Sequence, residues 1–244
     1  MDASPLFPPL LFPSEDEVNA TLVALRSWHG RQPGPRDRAV TASGPGSVRP
    51  GGRTARVREA VREATLAALS EHGYQGLTVE GVAARSGVHK TTVYRRWGNA
   101  DGLVADALGI AAAEPWPVPD TGTLAGDLRA LARLVVAGFA DPVEGPIARA
   151  FVLAAAQSGS AARSLHAFFA RRHEQSAVIV ARAAERGEVP AGTDAAEVVR
   201  LAVAPLYYRL FITGEPIDEQ AADRAAASAA AAARAGALAA GPGP

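Results

Sequence analysis

From residue 54 onward the apolar residues of this chain recur at three- and four-residue steps and nowhere alternate. Val57, Val61, Thr65, Ala68 and Leu69 set the pattern. Such steps collect side chains on one face of an α-helix, whereas a half-buried strand needs a period of two. The chain is therefore expected to be all-α. Its abundant alanine and its 6% aromatic content agree, because alanine is the strongest helix former and has little preference for strands. With 244 residues, 48% of them hydrophobic, a sizeable core is attainable.

Local punctuation divides that pattern. A first helix is predicted over 54–73, ending at Gly73, and Thr78 is placed to cap a second through Arg85. Gly87 supplies a tight turn, a third helix follows over 89–96, and Asn99 caps a fourth through Ala113. After a proline-rich linker at 115–119, helices are predicted over 123–140, 143–157, 160–186, 194–213 and 218–235. Gly187 and Gly214 stand where helices end, and Pro205 should kink the helix that contains it. Residues 1–53 are dense in Pro and Gly and read as a disordered leader, in which 14–28 could form a short helix behind Ser14. Residues 237–244 read as a flexible tail.

Formal net charge is zero, but the mean conceals the distribution. Residues 46–98 hold nine basic groups against four acids, and residues 99–244 hold twelve against sixteen. A basic block on an otherwise acidic chain is an electrostatic footprint for a polyanion. Cysteine is absent, which excludes disulfides, thiolate metal sites and a cysteine nucleophile. No apolar run approaches the ~20 residues of a membrane span. Pro8, Pro9 and Pro13 break the one greasy N-terminal stretch that would otherwise suggest a secretory signal. The expectation is a soluble, cytoplasmic protein with no membrane partner.

The informative stretch is 77–103, LTVEGVAARSGVHKTTVYRRWGNADGL. Two short helices around Ser86-Gly87-Val88 form a helix-turn-helix, whose second helix enters the major groove of DNA. Ala83 is small where the helices come closest, and Val82, Val88 and Val93 face inward. His89, Lys90, Thr91, Thr92 and Arg95 are left pointing out. Any short helical hairpin could show these offsets. The continuation, TTVYRRW followed by GNADGL, resembles the N-terminal DNA-binding domain of TetR family transcriptional regulators over about 54–108. More loosely, DTGTLAGDL, ERGEVPAGTD and APLYYRLFITGEPID are similar to one C-terminal subclass of that family.

The resemblance implies a three-helix DNA-binding domain over 54–100 and a helical ligand-binding and dimerisation domain over 101–236. By position it implies that Lys90, Thr91 and Thr92 meet base edges while Thr78, Tyr94 and Arg96 hold phosphates. Arg95 suits either purpose, and His89 is either a solvated turn residue or a reader. Trp97 is expected as a core wedge. The family usually carries a lysine where this chain has Ala100, so one phosphate contact is missing unless Arg53 or Arg56 supplies it.

In the second half Phe151, Phe168, Tyr207 and Phe211 are the candidate pocket residues for a lipophilic effector, drawn from a set that also holds Phe139, Phe169, Tyr208 and Trp116. His166, His173, Gln157 and Arg209 are candidates for its polar part. His166 and His173 stand seven apart, wider than the i,i+4 pair that commonly chelates zinc, so no metal is expected. No nucleophile elbow, phosphate loop or carboxylate pair stands out; neither an enzyme nor a cofactor is expected. Ala221, Ala222, Ala225, Ala229 and Ala232 give the last helix a small-residue face expected to meet a second copy. The functional expectation is a homodimeric repressor, released from double-stranded operator DNA by a small molecule through movement of the fourth helix. The alternative is a helical small-molecule-binding protein with a non-functional DNA-binding head.

Overall fold

The computed structural model describes residues 52–114 and 117–239, so residues 1–51 of the leader expected over 1–53, and Trp116, lie outside the described residues. Nine α-helices are present among those described: α1 (Gly52–His72), α2 (Val79–Ser86), α3 (Lys90–Trp97), α4 (Ala100–Ala113), α5 (Leu124–Ala140), α6 (Glu144–Gln157), α7 (Gly159–Glu185), α8 (Ala195–Tyr208) and α9 (Glu219–Arg234). Their starts are set by side chains that accept first-turn amides. Thr78, Asn99, Thr123, Ser158, Asp194 and Asp218 each do so as N-caps, a contribution of roughly 1 kcal/mol apiece. At α6 the same service comes from Asp141, whose carboxylate accepts from the amides of Val143 and Glu144. α1 begins at Gly52, so Arg53 is helical rather than part of a leader.

The buried side chains form two clusters. The first joins Val61, Leu69, Val82, Val93, Leu103, Val104 and Leu108 of α1–α4 to Ile147, Ala150, Phe151 and Ala154 of α6 and Ala161 of α7. The second is built from α5, the later turns of α7, α8 and α9, around Leu128, Leu131, Ile179, Val198 and Leu206. The core thus divides differently from the chain: α6 packs under the first four helices.

In α9, Ala222, Ala226, Ala229, Ala230 and Ala233 are buried within the second cluster. Methyl side chains let α5 and α8 approach closely, and Arg133 of α5 clasps Asp223 of α9 with two hydrogen bonds of 2.8 Å. Of the five alanines expected to meet a second copy, Ala221, Ala222, Ala225 and Ala229 therefore face their own chain, which corrects that expectation, while Ala232 is half-buried. The tail also differs from expectation up to residue 239. The Leu238 carbonyl accepts from the Asp194 amide at 2.7 Å, and Thr193 and Ala239 form an isolated antiparallel bridge, so 237–239 are held.

α8 continues through Pro205 to Tyr208 and then opens into a π-helical turn over Arg209–Thr213, closed by Gly214 in the left-handed region. Two contacts fasten α4 to α7. Near its start, Asp101 accepts from the hydroxyls of Tyr74 and, at 2.6 Å, of Ser158, the N-cap of α7. At its C-terminal end, Arg172 donates to the carbonyls of Ala111 (2.8 Å) and of the C-cap Glu114 (2.9 Å). Among the described residues no helix is long and apolar enough to cross a membrane.

Candidate nucleic-acid interface

Buried valines and one tryptophan hold α2 and α3 together. Val82 and Val93 are fully buried between them, and Trp97 closes the end of α3 against α4. The turn is made at Gly87, whose φ of 67° is the left-handed conformation that glycine adopts without steric cost. Trp97 is further fixed by its Nε1, which donates to Asp106 at 3.0 Å. The same carboxylate takes hydrogen bonds from Arg58 Nε at 3.0 Å and Nη2 at 2.6 Å. Burial works against the Asp106 charge, yet the hydrogen bonds from Arg58 and Trp97 hold its carboxyl below the ordinary value. α1, α3 and α4 are thereby locked as a platform. At Gly102 a Cβ would fall 1.8 Å from the Trp97 carbonyl oxygen, so the close approach of α4 to the end of α3 requires glycine there.

On this platform His89 is the N-cap of α3: its Nδ1 accepts from the Thr91 amide at 3.4 Å. Lys90, Thr91, Tyr94, Arg95 and Arg96 are exposed on α3, and Thr92 is partly covered. Thr78 caps α2 through its Oγ1, which accepts from Gly81 N at 3.1 Å. The sequence-predicted DNA-contacting residues are therefore brought onto one helix and the start of its neighbour. Beside them an open cleft of about 740 Å³ runs between the first turns of α1 and α3, lined by Arg53, Val57, Val88, His89, Thr92, Arg95 and Arg96. Arg96 also stacks over the Trp97 ring, 5.0 Å from its centroid.

Ion pairs are sparse on this surface. Arg58, Arg62, Arg85, Arg133, Arg182, Arg209 and Arg234 each meet a carboxylate. No ion pair among the described residues engages Arg53, Arg56, Lys90, Arg95 or Arg96. One acid does reach the face. The Tyr94 hydroxyl donates to Glu80 Oε1 at 2.6 Å. That hydrogen bond holds the Glu80 carboxyl below its ordinary value and raises the Tyr94 phenol above its own. An exposed α3 bearing cations that form no ion pair, ordered by short capped helices, is chemically fit to receive a polyanion with groove edges beside its backbone.

The four candidate effector residues are not gathered in one place. Phe151 is 9% exposed and belongs to the first cluster, with Phe168 packed on its margin. Tyr207 and Phe211 lie in a separate nest with Phe139 and Phe169, with ring centroids 5.5–6.3 Å apart. Burial raises the Tyr207 phenol to about 12. Phe168 and Phe169 touch edge-on at 5.4 Å and link the two groups. His173 stacks on Phe169, and its pKa is lowered mainly by burial. His166 is exposed, and Arg209 pairs with Glu215 at 2.5 Å. Sequence reasoning missed the positions of Phe139 and Phe169 in the nest and the Glu80–Tyr94 bond. The aromatic spacing carried the first as a signal; nothing in the sequence carried the second.

Comparison with known proteins bears on the same two regions. Residues 61–107 match the model of the bacterial regulatory proteins of the tetR family, and residues 118–229 match the tetracyclin repressor-like C-terminal domain. The HTH-type transcriptional regulator AqdR of Rhodococcus erythropolis is 33% identical over 147 residues, which cover 60% of this chain and 70% of that protein. The uncharacterized HTH-type transcriptional regulator YdeS of Bacillus subtilis (strain 168) is 28% identical, over 66% of this chain and 81% of its own. A TetR transcriptional regulator from Agrobacterium tumefaciens shares the fold, with a TM-score of 0.53 at 22% identity over 71% of this chain and 92% of that one. The TetR family transcription regulator SCO0332 has a TM-score of 0.57 at 27% identity, covering 72% and 97% of the two chains.

Proposed function

We propose that this chain, which belongs to the tetR family of bacterial regulatory proteins and is a DNA-binding transcriptional regulator, is a homodimeric repressor that a lipophilic small molecule releases from its operator. The observation that carries the DNA half of this reading is the set of cations without carboxylate partners around α3. Lys90 at the start of α3 donates to guanine O6 or N7, and the methyl groups of Thr91 and Thr92 meet thymine. Thr78, Tyr94, Arg95 and Arg96 hold phosphates on either side, and His89 fixes the first turn of α3. Arg53, on the far wall of the cleft, supplies the phosphate contact that Ala100 cannot make.

Two copies bind half-sites about one turn of DNA apart, ~34 Å. With the α9 alanines spent inside the chain, the dimer surface falls on the outward sides of α8 and the π turn. There Tyr208 is 58% and Ile212 71% exposed, an unusual exposure for side chains of that size.

For release, the effector must bind the non-DNA conformation better; a tenfold change in operator affinity needs ~1.4 kcal/mol of such difference. The aromatic nest at Phe139, Phe169, Tyr207 and Phe211 is the place for it, with Phe168 as the link toward the head and Phe151 as part of the head's own core. Because α4 is fastened to α7 at Asp101–Ser158 and at Arg172, the lever is the α4–α7 pair rather than α4 alone.

The test is binding of labelled duplex, selected from a random library, against a scrambled duplex at two salt concentrations, followed by a screen of lipophilic compounds on the complex. The expected result is a palindromic preference weakened by at least one compound class. Equal affinity for both duplexes would overturn the operator reading. A selective complex that no compound weakens would overturn the release.

A further inference from the structure

We propose that Glu80 is a built-in competitor of DNA: its carboxylate holds the Tyr94 hydroxyl proton that a backbone phosphate would otherwise receive. The inference rests on the reading of α2, the turn and α3 as the DNA-contacting element. Tyr94 stands outward on α3 with 45% of its surface exposed, yet its hydroxyl is engaged, 2.6 Å from Glu80 Oε1. That is the length of a charge-assisted O–H···O⁻ bond.

Three features keep the carboxylate there in the free protein. Glu80 lies in the first turn of α2, where the helix dipole favours an anion. Lys90 is near enough to favour its charge without forming an ion pair. The phenol itself donates to it. A phenol has one proton to give, and either the carboxylate or a phosphate can receive it, not both. A phosphate that takes it must displace Glu80 and then lie beside a second anion. The cost falls on every DNA sequence alike, because neither partner touches a base edge. Glu80 therefore lowers overall affinity and leaves the sequence preference unchanged. A regulator that a small molecule must release gains from this, since the effector has to overcome only its differential binding energy.

The experiment compares the full chain with Glu80→Ala, Tyr94→Phe and the double variant, each confirmed folded by circular dichroism. Selected and scrambled duplexes are titrated by fluorescence polarisation. Glu80→Ala should tighten both duplexes, on the order of tenfold for a dimer whose two half-sites each contribute a few-fold. It should tighten neither in the Tyr94→Phe background. Glu80→Gln, which keeps the shape and removes the charge, should act in the same direction and less strongly.

Equal tightening in both backgrounds would overturn the proposal, since Glu80 would then act only as a diffuse charge. Weaker binding by Glu80→Ala would overturn it too, since Glu80 would then position Tyr94 for DNA. A changed preference at one base pair would make Glu80 a reader and likewise end it. Failure of the underlying reading shows separately, in the unsubstituted chain alone, as no preference for the selected duplex.

Discussion

On the face made by the first turn of α1 and by α3, Arg53, Arg95 and Arg96 line an open cleft and form no ion pair among the described residues, although the Arg96 charge is felt by Asp106. Across α5 and α9, Arg129, Arg133 and Arg234 behave in the opposite way, although Arg224 does not. Arg133 closes on Asp223 through two hydrogen bonds and also reaches Glu219 at 3.1 Å. Arg182 meets Asp120, and Arg186 and Arg234 share Glu188. Glu188 in turn accepts from the first amide of α5 at 3.1 Å, so this pairing builds the fold. The difference lies in clustering rather than in any single arginine. The chain is neutral overall, yet Arg53, Arg95 and Arg96 share one cleft without an ion pair among the described residues, and a cluster of that kind suits a polyanion. Arg149, Arg163 and Arg224, also without one among the described residues, lie on three different helices. Arg enrichment alone says little, because Lys90 is the one lysine in the chain.

The comparison can be broken hardest in the second half. Ala229 is fully buried among α5, α8 and α9, so Ala229→Glu should cost about 4 kcal/mol or more, from overpacking and an unpaired buried charge. The expected readout is loss of the cooperative thermal transition. A folded monomer would instead restore the alanine face to the dimer contact.

Next comes the platform. Asp106→Ala removes hydrogen bonds from both Arg58 and Trp97 and should cost about 3 kcal/mol, held down by the partial exposure of Arg58. Chemical denaturation measures it. Because the Asp106 carboxyl is held below its ordinary value, its stabilisation is complete above the unfolded carboxylate range and is lost as pH falls through the lower folded value. The stability difference between the original chain and the variant should therefore shrink in acid.

Lys90→Ala should leave stability alone and relax the preference at one base pair per half-site by about 2 kcal/mol, read from a panel of single-substituted operators. An unchanged preference would assign Lys90 to the backbone. The smallest effect belongs to Arg53→Ala, about 1 kcal/mol lost on every sequence, with no change in melting temperature. If its melting temperature falls and DNA affinity stays, Arg53 is structural and the contrast between the two faces blurs.

Much of the fold was legible because it rests on local chemistry. Thr78, Asn99, Thr123, Asp194 and Asp218 cap helices at positions their own sequence neighbourhood announces, and Gly73, Gly87 and Gly214 end them with positive φ. What was hidden depends on residues far apart in the chain. The α9 alanines look the same whether they approach α5 and α8 or a second copy, and the choice is fixed by Arg133 and Asp223, ninety positions apart. The spacing of Phe151, Phe168, Tyr207 and Phe211 shows that each is on a helical face but not which cluster each joins. In the candidate interface, the exposed residues of α3 were readable from its amphipathic pattern. Arg53 was named from the sequence beside Arg56, but its place within α1 was hidden by the glycines and prolines before it, and the Glu80–Tyr94 bond spans two helices.

That the unpaired cations exist for a DNA backbone is tested most directly by the salt dependence of operator binding. The slope of log Kd against log salt should be measured for the original chain, for the combined Arg53→Ala, Arg95→Ala and Arg96→Ala variant, and for Arg133→Ala. Each lost phosphate contact lowers the slope by about 1, so the triple variant should lose roughly 2–3 per subunit while Arg133→Ala keeps the original value. A triple variant with an unchanged slope would contradict this reading of the recognition face.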